Sequence, residues 1–479
     1  MVNSKAKQWL DATTAFAERS VRKAVERAHS SHVRLGVTGL SGSGKTVFTT
    51  ALAHALLHAR NEPTMLAFLG ALHKGQIVAA NTEPLPGLPR FPVEDNARRL
   101  ASSQPHWPEP THELSGVRIV VRFRAGGLWR NLGLEPELRV DIVDYPGEWL
   151  VDLPLLGSDY RAWSLKTWHD LAQGDGTTTP GPAAEWCASA DAIPAPSGLD
   201  ARAAEYRRLL AQLKGDRFGW SWLTPGRCLT WTEADWLASG CAFFPVPPEA
   251  LAPGPLAAAL SQRYASYLDR HVKPFYRDHL RNLDRQIVLV DLLGALARGR
   301  DSVLGMRRAL GAILAHFRYG SWARLFRPLL GRRIGRVMVA AAKADLVTRS
   351  QHLALRSLLR ETVQWSAMRK LEDADQVAQD RTLYAIGYLA SVRSTTERYR
   401  TEDGVQYAGL LGRPKGYTAD KVLRTSEVPP ALPSAEDWPA DGFIYRQFEP
   451  PNLSSYKERA FPHIGLDKAI EFLIGDKVS

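Results

Sequence analysis

The sequence predicts an α/β fold, a mixed and mostly parallel sheet built around a phosphate-binding loop and interrupted by a large helical insertion subdomain. Three observations carry that prediction. Gly39-Leu-Ser41-Gly42-Ser43-Gly44-Lys45-Thr46 fits GxxxxGK[ST] in full, between an apolar run, Val33 to Val37, and a helix-like stretch, Thr46 to His58. Gln286 to Asp291 (QIVLVD) and Arg336 to Ala341 (RVMVAA) are short β-branched runs of the kind buried in parallel sheets. Between these regions, helical patterns alternate with Pro and Gly breaks, and eight of the fourteen tryptophans fall between Trp149 and Trp236.

Residues 1–32 form the first segment. There Leu10, Ala17, Val21, Ala24 and Ala28 share one stripe of an amphipathic helix over residues 5–28, expected to pack on the core. Residues 33–150 are the first part of the nucleotide domain. The phosphate loop and its helix precede a proline-rich stretch, Pro84 to Pro110. A hairpin follows, Val117 to Phe123 and Leu138 to Asp144, joined around Gly126 and Gly127. Residues 151–285 are the insertion, whose tryptophans read as core. Strand–helix alternation returns over residues 286–400, where Leu383 to Ala385, followed by Ile386, is the last strand. Residues 401–479 are loop-rich and contain a terminal helix, Leu466 to Ile474.

At 479 residues the chain exceeds one compact core, and 45% hydrophobic with 23% charged residues excludes global disorder. Cys187, Cys228 and Cys241 match no zinc or disulfide spacing, which points to a reduced, cytoplasmic compartment. The start, MVNSKAKQWL, has no apolar signal core, and no run approaches the roughly 18 apolar residues that span a bilayer. A soluble chain without a transmembrane segment is expected. The net charge of +11 is uneven, with ten arginines and a single acid, Asp301, between Arg298 and Arg336. That stretch reads as a solvated helix face; contact with anionic lipid or an acidic protein is the sharper alternative. Nucleic acid is not expected, because no aromatic-interleaved basic motif is present.

The motifs name the chemistry. In GxxxxGK[ST] the glycines let backbone N–H groups of Gly39 to Val47 turn around phosphate oxygens, and the helix directs its positive end at them. Lys45 would reach the β- and γ-phosphates and the Thr46 hydroxyl would bind Mg²⁺. Asp144-Tyr-Pro-Gly147, a DxxG, closes the hairpin: Asp144 would hold Mg²⁺ and the Gly147 N–H would sense the γ-phosphate. Asp291-Leu-Leu-Gly294 is a second DxxG, at a position where capping is expected instead. After RVMVAA comes Ala342-Lys343-Ala344-Asp345, similar to NKxD. The Asp345 carboxylate would accept two hydrogen bonds from guanine, which adenine cannot supply, at about 1–3 kcal/mol per lost bond. Lys343 would lay its stem over the base. Ala342 stands where an asparagine would tether the base site to the phosphate loop. The order of these motifs is the one a P-loop GTPase would have.

Further assignments follow from position. Ser391 and Val392, in Ala390-Ser-Val-Arg393, would contact guanine through backbone N–H groups. Thr111 is the candidate switch threonine on Mg²⁺, with Thr82 second. Glu148, directly after Gly147, is the candidate for orienting the attacking water, and Arg122, Arg124 and Arg393 are possible charge stabilisers.

The order GLSGSGKT, LPRFPVE, WPEPT, VDYPGEW, VLVDLLGAL, AAKADLV, ASVRST and FPHIGLDKAIEFLIGDKV resembles the YcjX family of bacterial P-loop GTPase-like proteins through nearly the whole chain. The resemblance implies a cytoplasmic, stress-associated molecular switch, a Ras-like P-loop NTPase domain with a helical insertion, that binds GTP and GDP and hydrolyses GTP. It also implies a membrane-associated partner of the YcjF type, and hence peripheral placement at the inner membrane. The family's threonine ahead of KAD is Ala342 here. Two other readings stay open at this point: an unselective NTPase or ATPase, and a non-hydrolysing, nucleotide-gated scaffold for a membrane partner. Oligomeric state is not legible.

Overall fold

The computed structural model describes residues 31–40, 42–61, 77–109, 113–124, 137–173, 181–189, 193, 196–215, 219–220, 222–318, 334–371, 383–402 and 405–477. The helix expected over residues 5–28 and the Gly126–Gly127 turn lie outside them. Seven strands form one sheet: β1 (Ser31–Gly39), β2 (Ile77–Pro84), β3 (Ser115–Phe123), β4 (Glu137–Asp144), β5 (Arg285–Val290), β6 (Arg336–Ala341) and β7 (Leu383–Tyr388). Their order is β2-β3-β4-β1-β5-β6-β7. β4, β1, β5, β6 and β7 are parallel, and β3 pairs antiparallel with both β4 and β2.

Helix α1 (Lys45–Leu57) follows the phosphate loop, and α2 (Val93–Leu100) packs beside it. Between β4 and β5 lie α3 (Tyr160–Gln173), α4 (Pro182–Ala188), α5 (Leu199–Lys214), α6 (Glu233–Ala238), α7 (Pro255–Tyr267) and α8 (Lys273–Asp278), with no strand among the described residues. α9 (Leu292–Arg298) and α10 (Arg300–Arg318) follow β5, and α11 (His352–Leu371) leads to β7. Beyond β7 stand β8 (Thr396–Glu402), β9 (Val405–Gly412) and β10 (Lys421–Leu423), a separate antiparallel sheet, and then α12 (Leu466–Ile474).

Both faces of the parallel sheet are covered, which is why β5 and β6 read as unbroken apolar runs. Successive side chains of β5 leave on opposite faces. Ile287 and Leu289 join Val33, Leu35, Val37, α1 and α12 on one side; Val288 and Val290 join α9, α10, α11 and the helices that follow β4 on the other. The tryptophans among those helices are core: Trp163, Trp186, Trp220 and Trp236 are buried, and Trp163 meets Phe243 edge-on at 4.8 Å. Asp152 ties this layer together, accepting from the backbone N–H of Gly226 (2.7 Å) and Arg227 (2.9 Å) and from the Tyr267 hydroxyl (2.6 Å). Burial pushes its pKa up to about 6.

The segment after β10 returns to the start of the fold. His54 of α1 stacks on Phe461 at 4.1 Å between ring centres, and its Nε2 lies 2.9 Å from the carbonyl oxygens of both Tyr456 and Arg459. Arg285 of β5 donates to the Leu473 carbonyl and pairs with Asp476. Leu466, Ala469, Ile470, Leu473 and Ile474 of α12 are buried in the layer that holds α1.

The structure departs from the sequence reading in two places. Within and just before the proline-rich stretch stand β2 and α2, and the loop-rich C-terminal region carries β8 to β10. Among the described residues, no helix is long and apolar enough to cross a membrane.

Candidate functional site

The parallel strands end on one edge, so the loops after β1, β4, β5, β6 and β7 gather there. β1 ends at Gly39, and α1 begins at Lys45. The turn between them needs left-handed backbone at Gly42 (φ +77°) and Gly44 (φ +83°), which glycine adopts without a Cβ penalty. Ser43 N–H donates to the Leu40 carbonyl at 3.1 Å, and Phe48 N–H to Gly44 at 2.9 Å, so the helix starts at the loop itself. Its positive end is therefore directed at the loop. Ser43 and Thr46 are buried, and Val47 packs half-buried against the α1 layer. Lys45 is buried and its Nζ donates to the Gly39 carbonyl at 2.9 Å. An ammonium has three donors, so one bond inside the loop leaves others for phosphate oxygens. Ser41 lies outside the described residues.

Asp144 ends β4 directly across from Val37 of β1, fully buried beside the phosphate loop. Three residues on, the chain passes so near the loop that a Cβ at Gly147 would overlap the Gly39 carbonyl, 2.8 Å from its carbon. Glu148, the water-orienting candidate, turns toward α5: its carboxylate sits 2.5 Å from Lys214 Nζ, with side chains 13% and 24% exposed. Burial raises the Glu148 pKa, but Lys214 and then Lys45 outweigh it and hold the acid below its ordinary value.

The loop after β6 presents Lys343 in the left-handed region, at φ 59° and ψ 36°. Its Nζ donates to Asp291 at 2.7 Å, and Asp291 also caps α9 by accepting from Gly294 N–H at 3.0 Å. Asp345 is buried, and burial raises its pKa against the bonds it receives. Ser394 supplies two of those, from its N–H (2.8 Å) and its hydroxyl (2.5 Å), both to Oδ2. They fix the plane of the carboxylate. Ser391 and Val392 are buried in the turn after β7, flanked by Ala390 and Arg393, whose N–H groups donate to Ile464 and Pro462.

The remaining candidates fall elsewhere. Thr111 lies outside the described residues. Thr82 is on edge strand β2, bonded to Glu94. Arg122 pairs with Glu137, and Arg393 donates to the Thr395 carbonyl. Sequence reasoning missed Ser394, three residues past Ser391, and Lys214, which no local signal marks.

A parallel sheet whose first strand runs through GxxxxGKT into a helix, with an acid ending the neighbouring strand, defines a P-loop NTPase fold of the mixed, Ras-like kind. Residues 33–478 match the YcjX-like family, DUF463, and the chain belongs to that family. It is 34% identical over 477 residues to the Ras-like GTPase YcjX of Escherichia coli (strain K12), across 95% of this chain and 97% of that protein. It is 32% identical over 499 residues to the Ras-like GTPase YcjX of Shewanella oneidensis, across 98% and 99%.

Proposed function

We propose that this chain binds GTP and GDP and hydrolyses GTP to GDP and phosphate at a Mg²⁺-dependent site, acting as a stress-related molecular switch. One observation carries the reading: the phosphate loop, Asp144–Gly147 and Lys343–Asp345 leave strands of one sheet at the same edge, with Asp345 held in orientation by Ser394. The names of the relatives support the guanine nucleotide.

The donors suit Mg²⁺. The Thr46 hydroxyl and Asp144 carboxylate are hard oxygens on adjacent elements, and Mg²⁺ at nucleotide sites takes one or two such ligands with phosphate oxygens and water. Among the described residues no three His, Cys, Asp or Glu side chains form a metal cage, and this mode of binding needs none. Bound there, the ion would neutralise charge spreading over the phosphoryl oxygens. The chain's own residues do the rest. Lys45 and the loop N–H groups hold the β- and γ-phosphates, Gly147 N–H reads the γ-phosphate, and Glu148 orients water. Loss of the γ-phosphate then releases the segment beginning at Gly147, which contacts the loop at Gly39.

Displacement of fluorescent GDP by GTP, ATP and XTP tests this. GTP should win on the wild type, and Asp345→Asn should shift preference toward XTP. Equal competition by ATP with no change in the variant would overturn the guanine assignment. Turnover should vanish in Lys45→Ala; survival of turnover would overturn the enzyme reading. The membrane-associated partner and the stress role rest on the family resemblance, and the arginine-rich stretch that would face an acidic partner falls partly outside the described residues, at 319–333.

A further inference from the structure

We infer that Asp291 is a positioning residue that anchors the base-recognition loop beside the phosphate loop, in place of the tether that Ala342 cannot make. The inference rests on the nucleotide-binding reading above and deepens it. Strand β5 lies between β1 and β6, so the residue that follows it stands between the phosphate loop and the loop of Lys343. The Asp291 side chain bonds to Lys343 and stands beside the phosphate loop. Its Oδ2 accepts from Lys343 Nζ at 2.7 Å, and a Cβ placed on Gly42 would stand 3.9 Å from the same oxygen. Its Oδ1 is fixed by Gly294 N–H at 3.0 Å, so the acceptor is anchored to the start of α9. Asp291 is 9% and Lys343 26% exposed as side chains, which limits competition from water.

The backbone at Lys343 shows why such an anchor is needed. Lys343 is the one non-glycine residue with positive φ among the described residues. A side chain in the left-handed region is strained and persists only where its surroundings hold it. The bond to Asp291 does so, and it fixes the side chain whose stem is assigned to the base. In NKxD motifs the asparagine would link the two loops. Here Ala342 has no polar atom beyond its backbone, and its N–H is committed to the Val290 carbonyl at 2.9 Å. The acid that sequence reading assigns only to capping therefore has a second task.

The test uses the full chain, fluorescent GDP, and Asp291→Asn, Lys343→Met and the double variant. Asn keeps an acceptor for Gly294 N–H, so the cap survives, and Met keeps the Lys343 stem without its charge. Each single variant should weaken GDP binding on the order of tenfold, the loss expected for a charge-assisted bond. The double variant should bind no worse than either single, because both remove one interaction. The GTP-to-XTP preference should not move, since Asp345 reads the base edge. Wild-type affinity in Asp291→Asn, or fully additive losses, would overturn the inference alone. A wild type that binds no guanine nucleotide would overturn the proposed function and this inference with it.

Discussion

Lys214, the last residue of α5, holds the Glu148 carboxylate at 2.5 Å, so a helix of the tryptophan-rich layer reaches the residue directly after the DxxG glycine. The pair makes a carboxylate tolerable beside a polyphosphate, because its charge is neutralised locally. With its pKa held below the ordinary value, Glu148 is ionised near neutral pH, and that state is lost only as pH falls through the lowered value. In Lys214→Met the nearest counter-charge is gone and burial pushes the acid up, with Lys45 the remaining cation. The turnover rate should fall about tenfold or more with little change in KM, and its acid limb should move to higher pH. A pH–rate profile identical to wild type would remove Glu148 from the mechanism.

Gly147→Ala should damage the nucleotide site while sparing the fold. The added methyl would overlap backbone atoms of Gly39, which cannot rotate away as a side chain could. One strand end or the other must shift, at about 1–3 kcal/mol. Calorimetric titration with a non-hydrolysable GTP analogue should show at least tenfold weaker binding, with far-UV circular dichroism unchanged. Unaltered affinity would mean that this close approach is not kept in the triphosphate-bound state.

Ser394→Ala removes a hydroxyl that donates to Asp345 and leaves the backbone N–H bond to the same oxygen. A hydrogen bond to a charged acceptor contributes about 1.5–3 kcal/mol. Guanine nucleotide affinity should drop by roughly tenfold or more, with a smaller loss for XTP, which does not rely on the same alignment. Equal losses for both nucleotides would show that Ser394 supports the loop rather than the reading of the base.

His271 gives a test by pH. Burial, then Arg227 and Arg270, push its pKa down to about 4 from 6.5. Between those values the unfolded chain binds a proton that the folded chain refuses, so its contribution to stability is lost as pH falls from 6.5 toward 4. Asp152 has the opposite sign, because its pKa is raised to about 6 from 3.8. Comparing wild type with His271→Phe cancels Asp152. From pH 7 to pH 5 the variant should gain about 1 kcal/mol on wild type in urea unfolding, a figure reduced for the partial exposure of the ring. No relative gain would mean that His271 is protonated in the fold.

What the sequence made legible follows from where each signal resides. β1, β5 and β6 are buried on both faces, so their β-branched runs are visible without context. β2 (IVAANTEP) sits at the sheet edge with Ala79 and Asn81 exposed, and it lacks such a run. α2 buries only Val93, Asn96, Ala97 and Leu100 in eight residues, too few to stand out beside the prolines. The site divides in the same way. Gly42, Gly44 and Gly147 answer to backbone constraints that show as short motifs. Ser394 and Lys214 act on partners 49 and 66 residues away, and only the folded chain brings them together.

The contact between His54 and the segment around Phe461 has a consequence for synthesis. The helix that follows the phosphate loop is made early, yet Phe461, which stacks on its His54, leaves the ribosome about 400 residues later. Translation elongates at about 5–20 residues per second. For roughly half a minute at the middle of that range, the nascent chain carries its phosphate loop on a half-covered helix, which a chaperone can shield. The His54 face of the helix is closed only once that late segment has emerged.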